Sequence, residues 1–506
     1  MKLEILDTTL RDGEQTSGVA YTPGEKLTIA KLLLEEVGVD RIEIASARIS
    51  EGEAIAVTKI TEWAANNGYS DQVEILGFID GGKSLNWIQN AGGRVINLLC
   101  KGSLHHLKNQ LKKSISEHIA DIKREVKAAV EADMIVNLYL EDWSNGMKNS
   151  PDYVFELMEA LRHEPIKRFM LPDTLGILNP LLMAEYLTAM QSRFPGIHFD
   201  SHCHNDYDLA VGNTFAAIQN GINGLHCTVN GLGERTGNTP LASIIGLRDH
   251  LDFECNVQEK KLNKISQMVA VFSGIETPHN QPLVGKNVFT QACGVHADGD
   301  AKGNLYKNEL LPERFGRKME YALGKTSGKA SIQKNLEDLG ISLSSEKMNK
   351  VTRRVVELGD KKSIITQDDL PYIVSDVLGN GVEGKVKILN YYCTLVHNMH
   401  PVTMLKIEID GKVYEETATG DGLYDAFMNA VRKIYEGLSI NLPILTNYRI
   451  HIPPGGNTDA LVENIITWSD GKKEFKTRGL EADQQAAAIS ATLKMLNKIH
   501  GEDFSF

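Results

Sequence analysis

LEILDTTLRDG (3–13) places a short apolar run directly before a polar cluster that contains Arg11 and Asp12. Seven more apolar runs follow, separated by amphipathic segments such as GEKLTIAKLLLEEVG (24–38). The runs are RIEIAS (41–46), VEILGF (73–78), VINLL (95–99), IVNLYLE (135–141), RFMLPDT (168–174), IHFDSH (197–202) and GLHCTVN (224–230). Alternating strand and helix patterns predict parallel βαβ units. Eight units in about 230 residues predict an α/β fold, a closed (β/α)8 TIM barrel over residues 1–265. An open doubly wound sheet is the alternative, but no GxGxxG follows the first run.

The C-terminal part of the chain contains an internal repeat. VTMLKIEIDGKVYEETATGDG (402–422) and ALVENIITWSDGKKEFKTRG (460–479) each predict strand, Asp-Gly turn, strand, and each precedes a helical pattern. The repeat predicts a C-terminal α+β domain over residues 381–506. Between barrel and repeat, we expect a lid subdomain over residues 266–330 and a helical connector over residues 331–380.

Composition limits the partners and the compartment. The net charge of −12 argues against nucleic acid, because phosphate binding needs a basic surface. Six scattered cysteines without a CxxC pair favour free thiols in a reducing compartment. Without an apolar leader or a run of about 18 apolar residues, we expect a cytoplasmic protein with no membrane partner.

The polar residues at the ends of the predicted strands indicate a metal site. Barrel enzymes place their chemistry at the carboxyl ends of the strands. His202 and His204 are two residues apart at such an end, so both rings can point to one side. Closing the barrel brings strand one, and Asp12, close to strand seven. We therefore predict a divalent metal held by Asp12, His202 and His204, with Mg²⁺, Mn²⁺ and Zn²⁺ all compatible.

Four segments of the barrel resemble the signatures of one enzyme family. DTTLRDGEQTSG (7–18), LPDTLG (171–176), SHCHNDYDLA (201–210) and NGLGERTGNTPL (230–241) are similar to segments of the 2-isopropylmalate, citramalate and homocitrate synthases. These are barrel enzymes of the DRE-TIM metallolyase type. GDGLYDAF (420–427) and PPGGNTDALVE (453–463) resemble the allosteric domain of that family, so the resemblance covers essentially the whole chain.

The resemblance implies a Claisen condensation of acetyl-CoA, the co-substrate, with a 2-oxo acid, followed by thioester hydrolysis. It adds Asn238 as a metal ligand and gives Arg11 the role of stabilising the developing oxyanion. Thr174 would bind the substrate carboxylate. Glu141 and His296 are jointly assigned to proton transfer, with the base undecided, and Tyr306 matches a lid residue of the family.

Three positions bear on the choice of 2-oxo acid. Leu76, Leu99 and Tyr139 match residues that wall a small apolar pocket in the citramalate synthases that use pyruvate; the alternative is that they are barrel core. A filled pocket excludes larger acids by steric contact. We therefore expect pyruvate, giving (R)-citramalate for isoleucine biosynthesis. The alternative is 2-oxoisovalerate, giving 2-isopropylmalate for leucine biosynthesis.

Two other classes of function compete with a synthase. A retro-Claisen lyase would share the barrel, but such lyases resemble the barrel alone, and the C-terminal repeat argues against one. A non-catalytic amino-acid sensor would keep the repeat. It would have no need of Arg11, Asp12 and both histidines.

The resemblance also implies a homodimer whose C-terminal repeat binds a branched-chain amino acid, with isoleucine and leucine both possible. The positions that match the isoleucine pocket of citramalate synthases are Tyr424, Asp425, Leu445, Tyr448, Ile452, Val462 and Gln484. Ala482 stands where the family often has proline. A basic cluster could contact coenzyme A phosphates or form a solvated charged face; it comprises Arg314, Arg317, Lys318, Lys325 and Lys329.

Overall fold

The chain divides into two compact units in a computed structural model. The first unit is residues 1–290 with 306–320, and the second is residues 291–305 with 321–506. The structure describes residues 1–303, 305–306, 308–360, 365, 367, 370–378, 385–395, 399–451, 462–471, 474–481 and 483–501. Among these residues, no helix combines the length and apolar character needed to cross a bilayer.

Residues 1–290, all of which are described, contain eight parallel strands that close into a barrel in chain order, with β1 paired to β8. The predicted TIM barrel is confirmed. Its strands are β1 (Glu4–Asp7), β2 (Arg41–Ser46), β3 (Val73–Phe78), β4 (Val95–Lys101), β5 (Ile135–Glu141), β6 (Arg168–Asp173), β7 (Phe199–Cys203) and β8 (Gly224–Cys227). Its α-helices are α1 (Pro23–Lys31), α2 (Glu51–Asn67), α3 (Lys83–Asn90), α4 (Leu104–His106), α5 (Ile115–Glu131), α6 (Trp143–Asn149), α7 (Pro151–Leu161), α8 (Pro180–Arg193), α9 (Ala210–Gln219), α10 (Leu241–Gly246) and α11 (Leu262–Ser273).

Local sequence explains where the barrel helices begin. Helix α5 starts with a capping box: the Ser114 side chain accepts a hydrogen bond from the Glu117 backbone N–H, and the Glu117 carboxylate accepts one from the Ser114 N–H. Thr22 and Glu25 form the same arrangement before α1, where Pro23 occupies the first turn. Each box satisfies backbone donors that the first helical turn leaves unpaired.

The barrel has two apolar layers. The larger core lies between the strands and the surrounding helices, and it explains why the strands are almost continuously apolar. A smaller cluster comprises Leu6, Leu76, Tyr139 and Met170, with the partly buried Leu99 packed against it. The three positions predicted to wall a substrate pocket therefore meet in one cluster.

The second unit contains the C-terminal repeat. Each copy is a three-stranded antiparallel sheet followed by a helix. The strands and helices of the two copies are β11 (Val386–Thr394), β12 (Val402–Ile409), β13 (Lys412–Thr419) and α16 (Leu423–Gly437), then β14 (Ile444–His451), β15 (Val462–Ser469), β16 (Glu474–Glu481) and α17 (Gln484–Ile499). Asp410 and Gly411 join β12 to β13 with positive φ at both residues, as a two-residue type I′ turn requires. The predicted α+β domain is confirmed, and each copy has an additional first strand.

The remaining elements of the second unit are mainly helical. They are α12 (Gly294–Ala301), α13 (Lys329–Asp338), α14 (Ser345–Asp360) and α15 (Leu370–Leu378). Ile332, Leu336, Val351 and Val355 are buried in a common core that joins α13 to α14. Two short strands, β9 (Thr290–Gln291) and β10 (Glu320–Tyr321), lie where the chain passes from one unit to the other.

Candidate active site

Asp12, His202 and His204 come together at the carboxyl ends of the barrel strands. Asp12 follows β1, His202 lies in β7 and His204 follows it. The His202 Nε2 lies 3.2 Å from the Asp12 Oδ2 and 3.3 Å from the His204 Nε2, and the His204 Nε2 lies 3.7 Å from the same Asp12 oxygen. All three side chains are buried. Their potential ligand atoms all lie within 4.8 Å of one another, close enough to share one metal ion.

The electrostatics of this cluster suit a divalent cation. Burial alone would raise the pKa of Asp12, but the Arg11 charge and the His202 hydrogen bond hold it well below its usual range. Burial lowers the pKa of His202, and burial together with His202 lowers the pKa of His204 to about 4. At neutral pH the cluster therefore presents one carboxylate and two neutral imidazoles, a ligand set for a divalent metal.

Asn238 supplies an independent indication of a cation. Its Nδ2 donates to the Leu232 carbonyl at 3.2 Å, whereas its Oδ1 is buried and has no hydrogen-bond partner among the described residues. A β-bridge pairs the backbone of Asn238 with that of His204, which places Asn238 beside the candidate metal site. An acceptor left unpaired in a buried site is costly unless a ligand uses it. The Asn238 oxygen could therefore be a fourth protein ligand.

The loop before Asn238 depends on glycine. Gly237 has a φ of +85°, and a Cβ there would lie 1.8 Å from the Gly231 carbonyl oxygen. At Gly233, with a φ of +155°, a Cβ would lie 2.2 Å from the Asn238 Nδ2. A side chain at Gly237 would clash with the loop backbone, and one at Gly233 would clash with the Asn238 side-chain amide. Either change would displace Asn238.

Arg11 is held against the candidate metal site by two carboxylates. Its Nε donates to the Glu43 Oε2 at 2.6 Å and its Nη1 to the Asp12 Oδ2 at 3.1 Å. Burial would lower the pKa of Arg11, but the Glu43 and Asp12 charges raise it, so the guanidinium stays charged. A fixed positive charge beside the candidate metal suits stabilisation of a developing oxyanion.

A buried polar network beneath Arg11 was missed by sequence reasoning. The Tyr139 hydroxyl lies 3.1 Å from the His226 Nδ1, and the His226 Nε2 lies 3.1 Å from the Asp200 Oδ2. Arg41 donates to the same Asp200 oxygen at 2.6 Å. On the other side, Asn97 donates to the Glu43 Oε1 at 2.7 Å. The signal was available, because each of these polar residues interrupts an apolar strand pattern.

Thr174 and Glu141 lie on neighbouring strand ends. The Thr174 hydroxyl oxygen accepts a hydrogen bond from the Asp142 N–H at 2.9 Å, and its own proton remains available to donate. Glu141 ends β5 and forms an ion pair with Lys101, the last residue of β4. Glu141 also lines a cavity of about 320 Å³ with Phe78 and Leu99.

The two predicted lid residues fall in different units. His296 lies in α12 of the second unit, and Tyr306 lies in the first unit with its side chain half-exposed. Their catalytic roles stay predictions.

Two arginines of the predicted basic cluster are engaged in structural contacts. Arg314 pairs with Glu259 at 2.7 Å and with Asp249 at 2.9 Å. Arg317 donates to the backbone carbonyl groups of residues 285 and 286. These bonds favour a structural role over coenzyme A binding for the two arginines.

Several predicted effector residues meet in the second unit. Tyr424, Asp425 and Leu445 line a cavity of about 530 Å³. The Tyr448 ring packs 5.6 Å from that of Tyr424, between centroids. Gln484 begins α17, and its carbonyl accepts a hydrogen bond from Asn464 at 2.6 Å. The same Asn464 amide donates to the Tyr448 hydroxyl at 3.1 Å. Val462 begins β15, whereas Ile452 and Ala482 lie outside the described residues.

Family models match three consecutive parts of the chain. The HMGL-like model matches residues 2–269, the homocitrate synthase post-HMGL domain-like model residues 283–363, and the LeuA allosteric (dimerisation) domain model residues 364–500. The barrel with its candidate metal cluster is thus an HMGL-like domain.

Curated relatives align over nearly the full length. The (R)-citramalate synthase of Methanocaldococcus jannaschii is 33% identical, covering 99% of this chain and 100% of the relative. A probable 2-isopropylmalate synthase of Methanopyrus kandleri is 33% identical, covering 98% of both. The 2-isopropylmalate synthase of M. jannaschii is 32% identical, covering 98% of this chain and 95% of the relative. The chain belongs to the citramalate and 2-isopropylmalate synthase family, as its motifs predicted.

The cluster geometry predicts how metal affinity responds to substitution and to pH. His202→Ala and His204→Ala should each weaken Mn²⁺ binding at least about 100-fold, because each removes a ligand atom. His163→Ala, at an exposed histidine, is the matched control and should bind like the wild type. Since burial lowers the pKa of both imidazoles, wild-type affinity should fall less steeply between about pH 7 and 5.5 than it would for two exposed histidines.

Electron paramagnetic resonance of free Mn²⁺ during titration measures these affinities. Wild-type affinity retained in either alanine variant would contradict the assignment of that histidine as a ligand.

Proposed function

We propose that this protein condenses acetyl-CoA with pyruvate and hydrolyses the resulting thioester, releasing (R)-citramalate and coenzyme A. The observation that carries the proposal is the cluster of Asp12, His202 and His204 with the charged Arg11 guanidinium fixed 3.1 Å from the Asp12 carboxylate. Relatives named as synthases of this reaction type, aligned over nearly the whole chain, support it.

The condensation requires an electrophilic keto carbon. A divalent metal held by Asp12, His202, His204 and Asn238 would polarise the keto group as a Lewis acid, and Mn²⁺, Mg²⁺ and Zn²⁺ all fit these ligands. Arg11 stabilises the negative charge that develops on the keto oxygen as the new carbon–carbon bond forms. The Thr174 hydroxyl donates to the substrate carboxylate.

Proton transfer completes the chemistry. A base removes a methyl proton from acetyl-CoA, the carbanion attacks the keto carbon, and the resulting alkoxide takes up a proton. Water then cleaves the thioester and coenzyme A leaves as the thiol. We assign the proton transfers to Glu141 and His296, with Tyr306 completing the lid. Lys101 holds the Glu141 carboxylate at the edge of the small cavity.

The choice of pyruvate rests on the apolar cluster inside the barrel. Leu76 and Tyr139 are buried, and Leu99 packs against them at the wall of the small cavity. The Tyr139 hydroxyl lies 3.5 Å from the Arg11 Nη2, so this cluster adjoins the proposed reaction centre. Side chains that fill this region would oppose the isopropyl group of 2-oxoisovalerate more than the methyl group of pyruvate.

The C-terminal domain is the proposed regulatory part. The match to the LeuA allosteric (dimerisation) domain supports a homodimer. We propose that a branched-chain amino acid, isoleucine as the first candidate, occupies the cavity lined by Tyr424, Asp425 and Leu445. The proposal places the enzyme in branched-chain amino-acid biosynthesis in the cytoplasm.

Free thiol release from acetyl-CoA, measured with a panel of 2-oxo acids, tests the activity. We expect the highest kcat/KM with pyruvate. Leu99→Ala should raise kcat/KM for 2-oxoisovalerate relative to pyruvate about ten-fold, because two further carbon groups gain buried space. Leu181→Ala makes the same change at an exposed position of α8 and should leave the ratio unchanged.

Two results would contradict this assignment at different levels. A higher wild-type kcat/KM for 2-oxoisovalerate would identify a 2-isopropylmalate synthase. No thiol release with any 2-oxo acid would overturn the synthase activity itself.

Isothermal titration of the full-length protein with isoleucine and leucine tests the regulatory site. Leu445→Trp should weaken binding at least about ten-fold, because the indole fills space that the ligand needs. Val413→Trp, on the exposed side of β13, is the matched control. Absence of heat with both amino acids, or unchanged affinity in Leu445→Trp, would exclude this cavity as their site.

A further inference from the structure

The connection between β4 and α5 is unusually basic. Its sequence, KGSLHHLKNQLKKSIS (101–116), contains four lysines and two histidines and no acidic residue, in a chain whose net charge is −12. It begins at the carboxyl end of β4, the barrel end that carries the metal cluster. The connection therefore concentrates positively charged side chains at that end of the barrel.

This connection lines two cavities. The first is the cavity of about 320 Å³ that contains Leu99 and Glu141, to which the connection adds Gln110, Leu111 and Lys113. The second, of about 580 Å³, is lined by residues 103–106, 108 and 109 together with Asp142, Asn145, Asn149 and others. Glu141 lines one cavity and Asp142 the other, so consecutive residues of the chain link them.

The two cavities differ in chemistry. The first combines apolar side chains, among them Phe78 and Leu99, with Glu141 and with two lysines that are already ion-paired, which suits the acyl end of a thioester. The second is rich in hydrogen-bond donors, among them His105, Lys108 and Asn145. Its carboxylate, Asp142, is buried and already accepts hydrogen bonds from Ser103 at 2.6 Å and Asn145 at 2.8 Å. The Asp142 oxygens are thus engaged by protein donors, whereas His105 and Lys108 offer donors to an anion in this cavity.

The lysines of the connection divide into paired and unpaired groups. Lys101 pairs with Glu141, and Lys113 pairs with Asp121 at 2.5 Å. Among the described residues, no carboxylate lies within ion-pair distance of Lys108 or Lys112, and both side chains are exposed. These two ammonium groups are free to bind an external anion, unlike Arg314 in the predicted basic cluster.

We propose that the basic connection is the coenzyme A phosphate site, with Lys108 and Lys112 binding the phosphate groups and His105 and Asn145 adding hydrogen bonds. The acyl-pantetheine arm then reaches the cavity of Leu99 and Glu141. This assignment rests on the proposed use of acetyl-CoA. All the residues assigned here to binding acetyl-CoA lie in the first unit.

Steady-state kinetics with two acetyl donors test the assignment. In Lys108→Glu/Lys112→Glu, the KM for acetyl-CoA should rise about ten-fold or more, because two attractive charges become repulsive. S-acetylpantetheine lacks the nucleotide phosphates, and its kcat/KM should not share this loss. The wild-type KM for acetyl-CoA should also rise with ionic strength, and that dependence should weaken in the variant. Lys127→Glu, at an exposed lysine of α5, should behave like the wild type.

The outcomes separate this inference from the proposed activity. An unchanged acetyl-CoA KM in the double variant, with the wild type active, would overturn the phosphate site and leave the synthase activity standing. An equal loss with both acetyl donors would also overturn it, because it would indicate a structural defect rather than lost phosphate binding. A wild type that releases no thiol from acetyl-CoA would overturn the activity and this inference together.

Discussion

The ion pair between Arg11 and Glu43, 2.6 Å from Nε to Oε2, is the contact on which the proposed site depends. It joins the loop after β1 to the interior of β2, and the Glu43 side chain is fully buried. Without the Glu43 charge, Asp12 would be the remaining carboxylate paired with Arg11, and the guanidinium would lose the partner that holds its Nε. Glu43 therefore constrains the direction in which the guanidinium points, toward Asp12 and the candidate metal.

The same constraint extends through the barrel interior. Glu43 and Glu74 both accept hydrogen bonds from the Asn97 amide, at 2.7 and 2.9 Å. Glu74 and Asp200 both pair with Arg41. Asp200 in turn lies 3.1 Å from His226, whose ring lies 3.3 Å from that of His202 between their Nδ1 atoms. Because each group is anchored by another, the metal ligands and Arg11 are positioned before substrate arrives, which is how fixed charges contribute most to catalysis.

Much of this arrangement was predictable, and the limits have physical causes. The strand pattern and barrel closure placed Asp12 beside His202 and His204, because strand order alone brings those ends together. Glu43 and His226 stand out in the sequence as polar residues within apolar strands, but their partners were missed because which side chains meet inside the barrel depends on register and tilt, which sequence does not specify. The first strand of each C-terminal sheet was missed because the Asp-Gly turn marks only the second and third. The ion pairs of Arg314 could not be predicted from the sequence, because its partners Asp249 and Glu259 lie more than fifty residues away.

The most direct test is Glu43→Gln, which keeps the shape of the side chain and removes its charge. Mn²⁺ titration measures whether the candidate metal ligands keep their arrangement. Single-turnover thiol release with saturating pyruvate measures the rate of the chemical step. We expect metal affinity within about three-fold of the wild type and a chemical step slowed about 100-fold or more, because Arg11 loses its orientation. An unchanged rate with intact metal binding would contradict the proposed role of Glu43.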